Sequence, residues 1–380
     1  MRKTGCFLLS LLWVPWAFSA VPTVKVLIAK SLKQVTLEGT DLQKTMHTQK
    51  RSESYQGRKQ ISFNCAPGRS AYHRARNPIL VASLRSPTGL ISWGKNKYQG
   101  ELQLLTTPGN ESCDLVNDIP LEAYLRTLLA KEMNGTWPLE ALKAQAVAAR
   151  TYAYDRVLKS QQGIVDEKKL YHLESSERDQ VSGSFFDVTE KTLRASRETE
   201  GEILVGPSGR VSPAFFHSKC GGKTLRPDQV WSGVEEGYRS VNCTFCQKTG
   251  MKDWQQKIRN GKITTMIDQV LRRYYSEQLE SNDIRIMQDS LSNSELRFYA
   301  GDRLHIVKKS YLRNLAGREL LPSNYYVMNQ RNGEITVEGR GYGHGVGLCQ
   351  LGALELAKRG YDYQQILSFY FPRHRMKKVY

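Results

Sequence analysis

The stretch that most constrains the fold is residues 118–159, which predicts two helices meeting at a tight corner. Pro120 falls in the first turn of the first helix, where its missing N–H costs nothing, and Asp118 can cap that helix. Residues 134–135, Asn-Gly, end the first helix, and the Ala-rich second helix runs on to about Gly163. We therefore expect the rest of the chain to be organised around this corner.

The first helix carries an apolar stripe that ends in a carboxylate. Three leucines recur at helical spacing, and Glu132 continues the same face. These leucines are Leu121, Leu125 and Leu128. Apolar neighbours and the negative end of the helix dipole both favour the neutral, protonated form of Glu132, and a neutral carboxylic acid in a cleft can act as a general acid. The alternative is an ordinary helix-end residue that pairs with Lys131 or Arg150.

The N-terminal residues and the charge indicate where the protein works. Residues 1–20 have the basic start, the short apolar run and the small final residues of a secretory signal peptide. No later stretch reaches roughly 18 apolar residues, so we expect an exported chain that is not transmembrane once the signal is removed. The formal net charge of +18 indicates an acidic partner. For an exported protein this means the periplasmic or extracellular cell envelope, and we expect no nucleic acid partner.

The fold class follows from how strand and helix patterns are distributed. Residues 21–112 read as strands separated by Gly and Pro, which predicts a small N-terminal β subdomain. Residues 113–380 contain the helical corner and further strands, so we predict an α+β fold with mixed β-sheet regions around a helix-turn-helix. Cys65 and Cys113 form the simplest disulfide pairing in the N-terminal part, since an oxidising compartment permits disulfides.

A second group of cysteines indicates a metal site. His217 and Cys220 share a turn, and Cys243 with Cys246 forms a Cys-x-x-Cys pair. Together they make a plausible tetrahedral zinc set in subregion 217–246. Because protein would fill all four positions, such a zinc would be structural. The alternative is a disulfide between Cys220 and one member of the pair.

A glycine-rich segment follows the last clear strand. Glycine occupies every second position from Gly339 to Gly347, which removes the side chains from one face of the segment. Another backbone or a ligand can then approach that face closely, and His344 projects from the other register. The spacing does not match the Gly-x-Gly-x-x-Gly nucleotide-binding pattern. Two short helices are predicted after it, at 351–359 and at Tyr363–Tyr370.

Three segments together resemble the SpoIID/LytB family, which is named for the sporulation protein SpoIID and an amidase enhancer. They are IPLEAYLRTLLAKEMNGTWPLEALKAQAVAARTYA, FFHSKCGGKT and GYGHGVGLCQLGALELAKRGYDYQQILSFYFP. The resemblance implies lytic transglycosylase activity on peptidoglycan glycan strands between MurNAc and GlcNAc, giving 1,6-anhydroMurNAc ends, with a preference for peptide-stripped strands. The alternative that it implies is a noncatalytic wall-binding enhancer of an N-acetylmuramoyl-L-alanine amidase.

The resemblance also implies roles for individual residues. It assigns catalysis to Glu132, in the Glu-Met pair of the first segment. It favours zinc over a disulfide for the His217, Cys220, Cys243 and Cys246 set. Many relatives have serine where this chain has Cys349, whereas the following glutamine is retained.

Five residues are predicted to bind substrate, because sugars favour amides, aromatic faces and an approachable backbone. They are Gln145, Arg150, Tyr342, His344 and Gln350. The first two fall on the polar side of the second helix, and the other three come from the glycine-rich segment. The alternatives are structural: a buried amide at Gln145 and an ion pair with a helix glutamate at Arg150.

One carboxylate is enough for this chemistry. Most glycosidases need two, an acid plus a base or nucleophile. In a lytic transglycosylase the muramyl C6 hydroxyl attacks internally, and its high local concentration replaces a positioned water. Glu132 would protonate the glycosidic oxygen, and its carboxylate would then take the hydroxyl proton and stabilise positive charge on the sugar.

Overall fold

The computed structural model describes residues 21–65, 77–106, 112–164, 169–176, 180, 187–233, 235–248, 252–291 and 294–380. The predicted signal peptide, residues 1–20, lies outside the described residues. The chain has the α+β fold that its sequence predicts. Within the described ranges, every helix is too short or too polar to cross a membrane.

A curled, mixed nine-stranded sheet forms the N-terminal part. Its strands are β1 (Thr23–Leu32), β2 (Gln34–Met46), β3 (Arg51–Asn64), β4 (Ile79–Arg85), β5 (Ile91–Trp93), β6 (Asn96–Tyr98), β7 (Glu101–Thr106), β8 (Cys113–Pro120) and β9 (Leu173–Glu174). Their order is β6-β5-β2-β4-β7-β8-β1-β9, with β3 beside β2. Only the β1–β9 pair is parallel among these described strands. The sheet thus continues past residue 112 through β8 and β9.

The disulfide predicted for the N-terminal part is present. Cys65 directly follows β3 and Cys113 begins β8, and their sulfur atoms are bonded. Both cysteines are buried in the apolar core of the sheet. The link therefore joins the end of the long β2–β3 hairpin to the strand that leads into the first helix.

The predicted helical corner is also present. The helices are α1 (Leu121–Glu132), α2 (Leu139–Gln161), α3 (Glu190–Glu198), α4 (Pro227–Val230), α5 (Asn260–Val270), α6 (Lys309–Ala316), α7 (Gln350–Lys358) and α8 (Tyr363–Tyr370). The prediction that Asp118 caps the first helix is wrong, because Asp118 lies in β8 and α1 starts directly where that strand ends. The N–H of Leu121 is instead satisfied by the carbonyl of Pro22 at 2.9 Å.

The remaining strands form small sheets. They are β10 (Glu202–Val205), β11 (Phe216–His217), β12 (Trp254–Arg259), β13 (Ile284–Ile286), β14 (Glu295–Ala300), β15 (Arg303–Lys308), β16 (Tyr326–Arg331), β17 (Glu334–Gly339), β18 (Leu348–Cys349) and β19 (Arg375–Lys378). Two three-stranded sheets, β12-β17-β16 and β13-β14-β15, share one apolar core with α5 and α6. We call this part of the chain, residues 252–339, the second lobe.

Helix α2 is the central element of the fold. It packs against α1, α3, α7 and α8. Alanines on its buried faces, such as Ala144, Ala148 and Ala153, have no exposed surface and allow the neighbouring elements to approach closely. The corner is therefore packed between the N-terminal sheet and the C-terminal helices.

Candidate functional site

Four of the six residues predicted for catalysis or substrate binding meet in one cavity of about 850 Å³, which we call the central cavity. They are Glu132, Tyr342, His344 and Gln350. Glu132 and Gln350 lie 218 positions apart in the chain, so only the fold brings them together. The volume falls within the range of about 300–1,000 Å³ that is usual for ligand sites.

Glu132 is the last residue of α1 and is partly buried. The chain leaves the helix at Met133 in an extended conformation, with φ of −134°. Carbonyl groups in the last turn of a helix lack intrahelical partners. Gln350, the first residue of α7, donates from Nε2 to the carbonyl oxygen of Glu132 at 3.4 Å. Gln350 therefore holds the backbone of the corner as well as lining the cavity.

The glycine-rich segment makes the close backbone approach that its alternating glycines predict, and the structure shows that the partner is residues 215–221. A Cβ atom at Gly347 would sit 2.1 Å from the carbonyl oxygen of Phe215, and one at Gly341 would sit 2.5 Å from that of Lys219. Both glycines have positive φ, 72° and 77°, which side chains other than glycine rarely adopt. This contact and the parallel pairing of β11 with β18 build one wall of the cavity.

His344 is fixed in a neutral state within that wall. Its Nε2 donates to the carbonyl oxygen of Phe216 at 2.7 Å, and its Nδ1 accepts from the N–H of Val346 at 3.1 Å. Burial, and then the nearby His217 and Arg313, lower the pKa of His344 well below its ordinary value. Because both nitrogens are engaged within the protein, His344 presents its ring to the cavity rather than a proton or a base.

His217 lies in the same wall, and its ring is not part of the cysteine cluster described below. Its Nδ1 donates to the carbonyl oxygen of Val346 at 3.0 Å. Burial lowers the pKa of His217 to about 4, so the ring is neutral at pH 7. Its Nε2 is buried and has no hydrogen-bond partner within the part of the chain that the structure describes. Both His217 and His344 line the central cavity.

Four buried cysteines form a cluster where the sequence predicted a zinc set of three cysteines and one histidine. They are Cys220, Cys243, Cys246 and Cys349. Their sulfur atoms all lie within 4.8 Å of one another, and none of the four is in a disulfide. This geometry corrects the predicted set, since His217 bonds to a backbone carbonyl in the cavity wall while Cys349 takes the fourth position. Four cysteine sulfurs are a donor set that suits zinc.

Arg150 does not reach the cavity. Its side chain has no exposed surface, and it donates from Nε and Nη2 to the two carboxylate oxygens of Glu122 at 2.6 and 2.9 Å. The hydroxyls of Ser196 and Tyr380 also donate to Glu122. Burial alone would raise the pKa of Glu122, but the hydrogen bonds and charge of Arg150 outweigh it and the pKa is lowered. The prediction that Arg150 contacts substrate is thus corrected to an internal ion pair.

Gln145 is also fully buried within α2 and does not line the central cavity. Neither atom of its amide group has a partner among the residues that the structure describes. A side chain with no exposed surface cannot contact a ligand in the cavity, so the predicted role in substrate binding is not consistent with this placement.

Several cavity residues were missed by the sequence analysis. Three of them are aromatic and come from α2 and from residues next to β11 and α4: Tyr152, Phe215 and Trp231. Three are charged and come from the second lobe: Arg313, Arg318 and Glu319. Arg156 of α2 and Glu235 also line the cavity. Phe215 belongs to a recognisable motif, whereas no motif marks Trp231 or the second-lobe residues.

Comparisons with known proteins show which family this chain resembles. The family model for the stage II sporulation protein SpoIID matches residues 109–205, which include Glu132 and the whole corner. An uncharacterized protein of Brachyspira hyodysenteriae is 30% identical over 275 residues, covering 72% of this chain and 71% of that protein. Stage II sporulation protein D of Bacillus subtilis is 28% identical over 67% of this chain and 74% of its own length. The amidase enhancer of Bacillus subtilis is 26% identical over 65% of this chain but only 39% of its own length.

Proposed function

Because the chain belongs to the SpoIID family, we propose that it is an exported lytic transglycosylase of the cell envelope. It cleaves peptidoglycan glycan strands between MurNAc and GlcNAc and leaves 1,6-anhydroMurNAc ends. One observation carries this proposal: Glu132 shares a cavity of ligand size with residues from the glycine-rich segment. The relatives named for sporulation and for amidase enhancement support a role at the cell wall.

The chemistry is carried by Glu132. Its carboxylic acid donates a proton to the glycosidic oxygen as the bond to the leaving sugar breaks. The resulting carboxylate stabilises the positive charge that develops on the muramyl ring. It then accepts the proton of the C6 hydroxyl, which attacks the anomeric carbon and closes the anhydro ring. His344 does not compete for the acid role, because both of its ring nitrogens are engaged within the protein.

Two further carboxylates line the cavity and define the main chemical rival, which is hydrolysis. A hydrolase would need one of them as a base or nucleophile in addition to Glu132. Glu235 already forms an ion pair with Lys159, with 3.4 Å between Oε1 and Nζ, and Glu319 is exposed. Internal attack by the C6 hydroxyl makes a second carboxylate unnecessary, so we assign neither residue a covalent role.

The charge of the cavity favours strands without stem peptides. Arg156, Arg313 and Arg318 all line it. Removal of a stem peptide leaves a free lactyl carboxylate on each MurNAc, and guanidinium groups pair well with carboxylates. The net charge of +18 adds a general attraction to an anionic polymer. Peptide-stripped strands are therefore the substrate that this site fits best.

The similarity to an amidase enhancer supports a second candidate, a noncatalytic wall-binding protein that stimulates a separate amidase. Two assays with the purified chain separate the candidates. The first incubates it alone with peptide-stripped glycan strands, and the second adds it to a cell-wall amidase acting on intact peptidoglycan. We expect strand cleavage in the first assay. Stimulation of the amidase without any strand cleavage would instead establish the enhancer.

We also propose that Cys220, Cys243, Cys246 and Cys349 hold a structural Zn²⁺. The protein would fill all four positions, which leaves none for water or substrate, so the ion would stabilise the fold and take no part in the reaction. The cluster lies in the same apolar core as α7, whose first residue, Gln350, contacts Glu132. Zinc binding would thereby support the corner indirectly.

Exchange of Cys349 tests this metal set. We expect Cys349→Ala to lose bound zinc and to lower the Tm by about 10 °C or more, because binding of a structural metal is coupled to folding. His217→Gln is the matched variant and should retain zinc. Metal content is measured by atomic spectroscopy, with thiols counted under denaturing conditions. Zinc loss in His217→Gln would restore the set predicted from sequence, and absence of both zinc and free thiols would establish disulfides.

A further inference from the structure

We propose that Trp231 forms an aromatic subsite in the central cavity on which one hexosamine ring of the glycan strand stacks. This inference rests on the proposed function and names a binding residue for it. Trp231 is partly buried, lines the cavity and belongs to no motif that marks the catalytic corner. Its role would be to bind and position the strand, not to take part in the chemistry.

Trp231 is the centre of a compact aromatic surface. The centroid of its ring lies 4.6 Å from that of Phe215, with 34° between the planes, and 5.2 Å from that of His344. All three rings line the cavity. Phe215 and Trp231 also pack against the buried core that contains Tyr238. One side of the surface is therefore anchored in the protein interior, and the other is available to a ligand.

The backbone that carries Trp231 is held from two directions. Within its own turn, the N–H of Trp231 donates to the carbonyl of Pro227 at 2.8 Å. From the second lobe, Lys308 Nζ donates to the carbonyl of Trp231 at 2.7 Å, and Ser310 Oγ donates to that of Val230 at 2.6 Å. A ring that is already fixed in place loses little conformational freedom when a ligand binds.

The chemistry of this surface fits a sugar ring. A pyranose has an apolar face of C–H bonds and a polar edge of hydroxyl groups. The face of an indole is apolar and carries negative charge density, so it attracts C–H groups that are slightly positive. His344 adds a neutral ring to the surface, because its nitrogens are occupied by protein partners. Arg313 and Arg318 line the same cavity and can meet the polar edge.

Binding of peptide-stripped glycan strands to the full chain tests the subsite. The parent is Glu132→Gln, so that binding is measured by calorimetry without turnover. In this background we expect Trp231→Leu to weaken binding at least about tenfold, because leucine keeps apolar bulk but has no aromatic face. Trp231→Phe should stay within about threefold of the parent. Trp93→Leu, in β5 and outside the cavity, is the matched control and should bind like the parent.

The outcomes separate this subsite from the proposed function. If the parent binds strands and Trp231→Leu binds them equally well, the subsite is wrong while the function stands. If the parent binds no strands, the proposed function fails and the subsite fails with it. If Trp231→Leu does not fold, the Trp231→Phe variant provides the test by fluorescence. In this variant we expect the change in tryptophan emission that accompanies strand binding in the parent to disappear. A change of the same size as in the parent would overturn the proposal.

Kinetics of the cleaving enzyme give an independent readout. With Glu132 intact, Trp231→Leu should raise KM about tenfold and leave kcat within about threefold, which is the pattern expected when an interaction contributes equally to the ground state and the transition state. A loss confined to kcat would contradict a stacking role, since it would place the effect of Trp231 on the chemical step.

Discussion

Replacement of Glu132 by glutamine will stop strand cleavage while leaving the protein folded. We expect turnover to fall by about 10²–10⁴-fold, because an amide of the same size cannot donate the proton that the departing sugar needs. Glu132 lies at the end of α1 and is only partly buried, and glutamine has nearly the same volume, so the substitution adds no cavity. Binding of strands should therefore persist, and the Tm should stay close to that of the unmodified chain.

The control for this variant is a carboxylate that takes no part in the site. Glu355 of α7 pairs with Lys358, with 2.8 Å between Oε1 and Nζ, and it does not line the cavity. Glu355→Gln should cleave strands at the unmodified rate. Release of soluble fragments, followed by chromatography, measures both variants. Normal turnover in a folded Glu132→Gln protein would remove Glu132 from the catalytic role.

Replacement of Arg150 by methionine will destabilise the whole fold. We expect the free energy of unfolding to fall by about 3–5 kcal/mol, because the substitution leaves the buried carboxylate of Glu122 without its charged partner. The loss is measured by equilibrium unfolding in urea. Arg197→Met, at an exposed position of the neighbouring helix α3, is the matched control and should change stability by no more than about 0.5 kcal/mol.

A double replacement and a pH series test the cause of that loss. Exchange of both Glu122 and Arg150 for methionine should be less destabilising than the sum of the single changes, since no buried charge remains unpaired.

The folded-state pKa of Glu122 is lowered, so the pair stabilises the fold above the ordinary pKa of a glutamate, and this stability is lost as the pH falls through the folded-state value. If Arg150→Met kept full stability but lost strand binding, the original prediction of a substrate contact would be correct.

Local patterns in the sequence were sufficient to predict the corner and the glycine-rich wall. The leucine stripe and the Asn-Gly stop determine where α1 runs and where Glu132 lies, because both depend only on neighbours within a few turns. Alternating glycines likewise indicate a close backbone approach without naming the partner. The structure supplies that partner, residues 215–221.

Contacts between distant parts of the chain could not be predicted in this way. A polar residue on a helix does not reveal whether its face is buried, and Arg150 is buried because Glu122, 28 positions away, completes its ion pair. Tyr380, which donates to the same carboxylate, is 258 positions from it. Sequence spacing alone grouped His217 with Cys220, whereas the fold brings Cys349, 129 positions from Cys220, into the cluster.

The central claim is that the muramyl C6 hydroxyl, and not water, attacks the bond that Glu132 protonates. The most direct measurement is digestion of purified peptide-stripped strands in H₂¹⁸O, followed by mass spectrometry of the new chain ends. We predict 1,6-anhydroMurNAc ends that contain no ¹⁸O, because internal attack incorporates no solvent oxygen. New reducing ends that carry ¹⁸O would contradict the account and would identify the protein as a hydrolase.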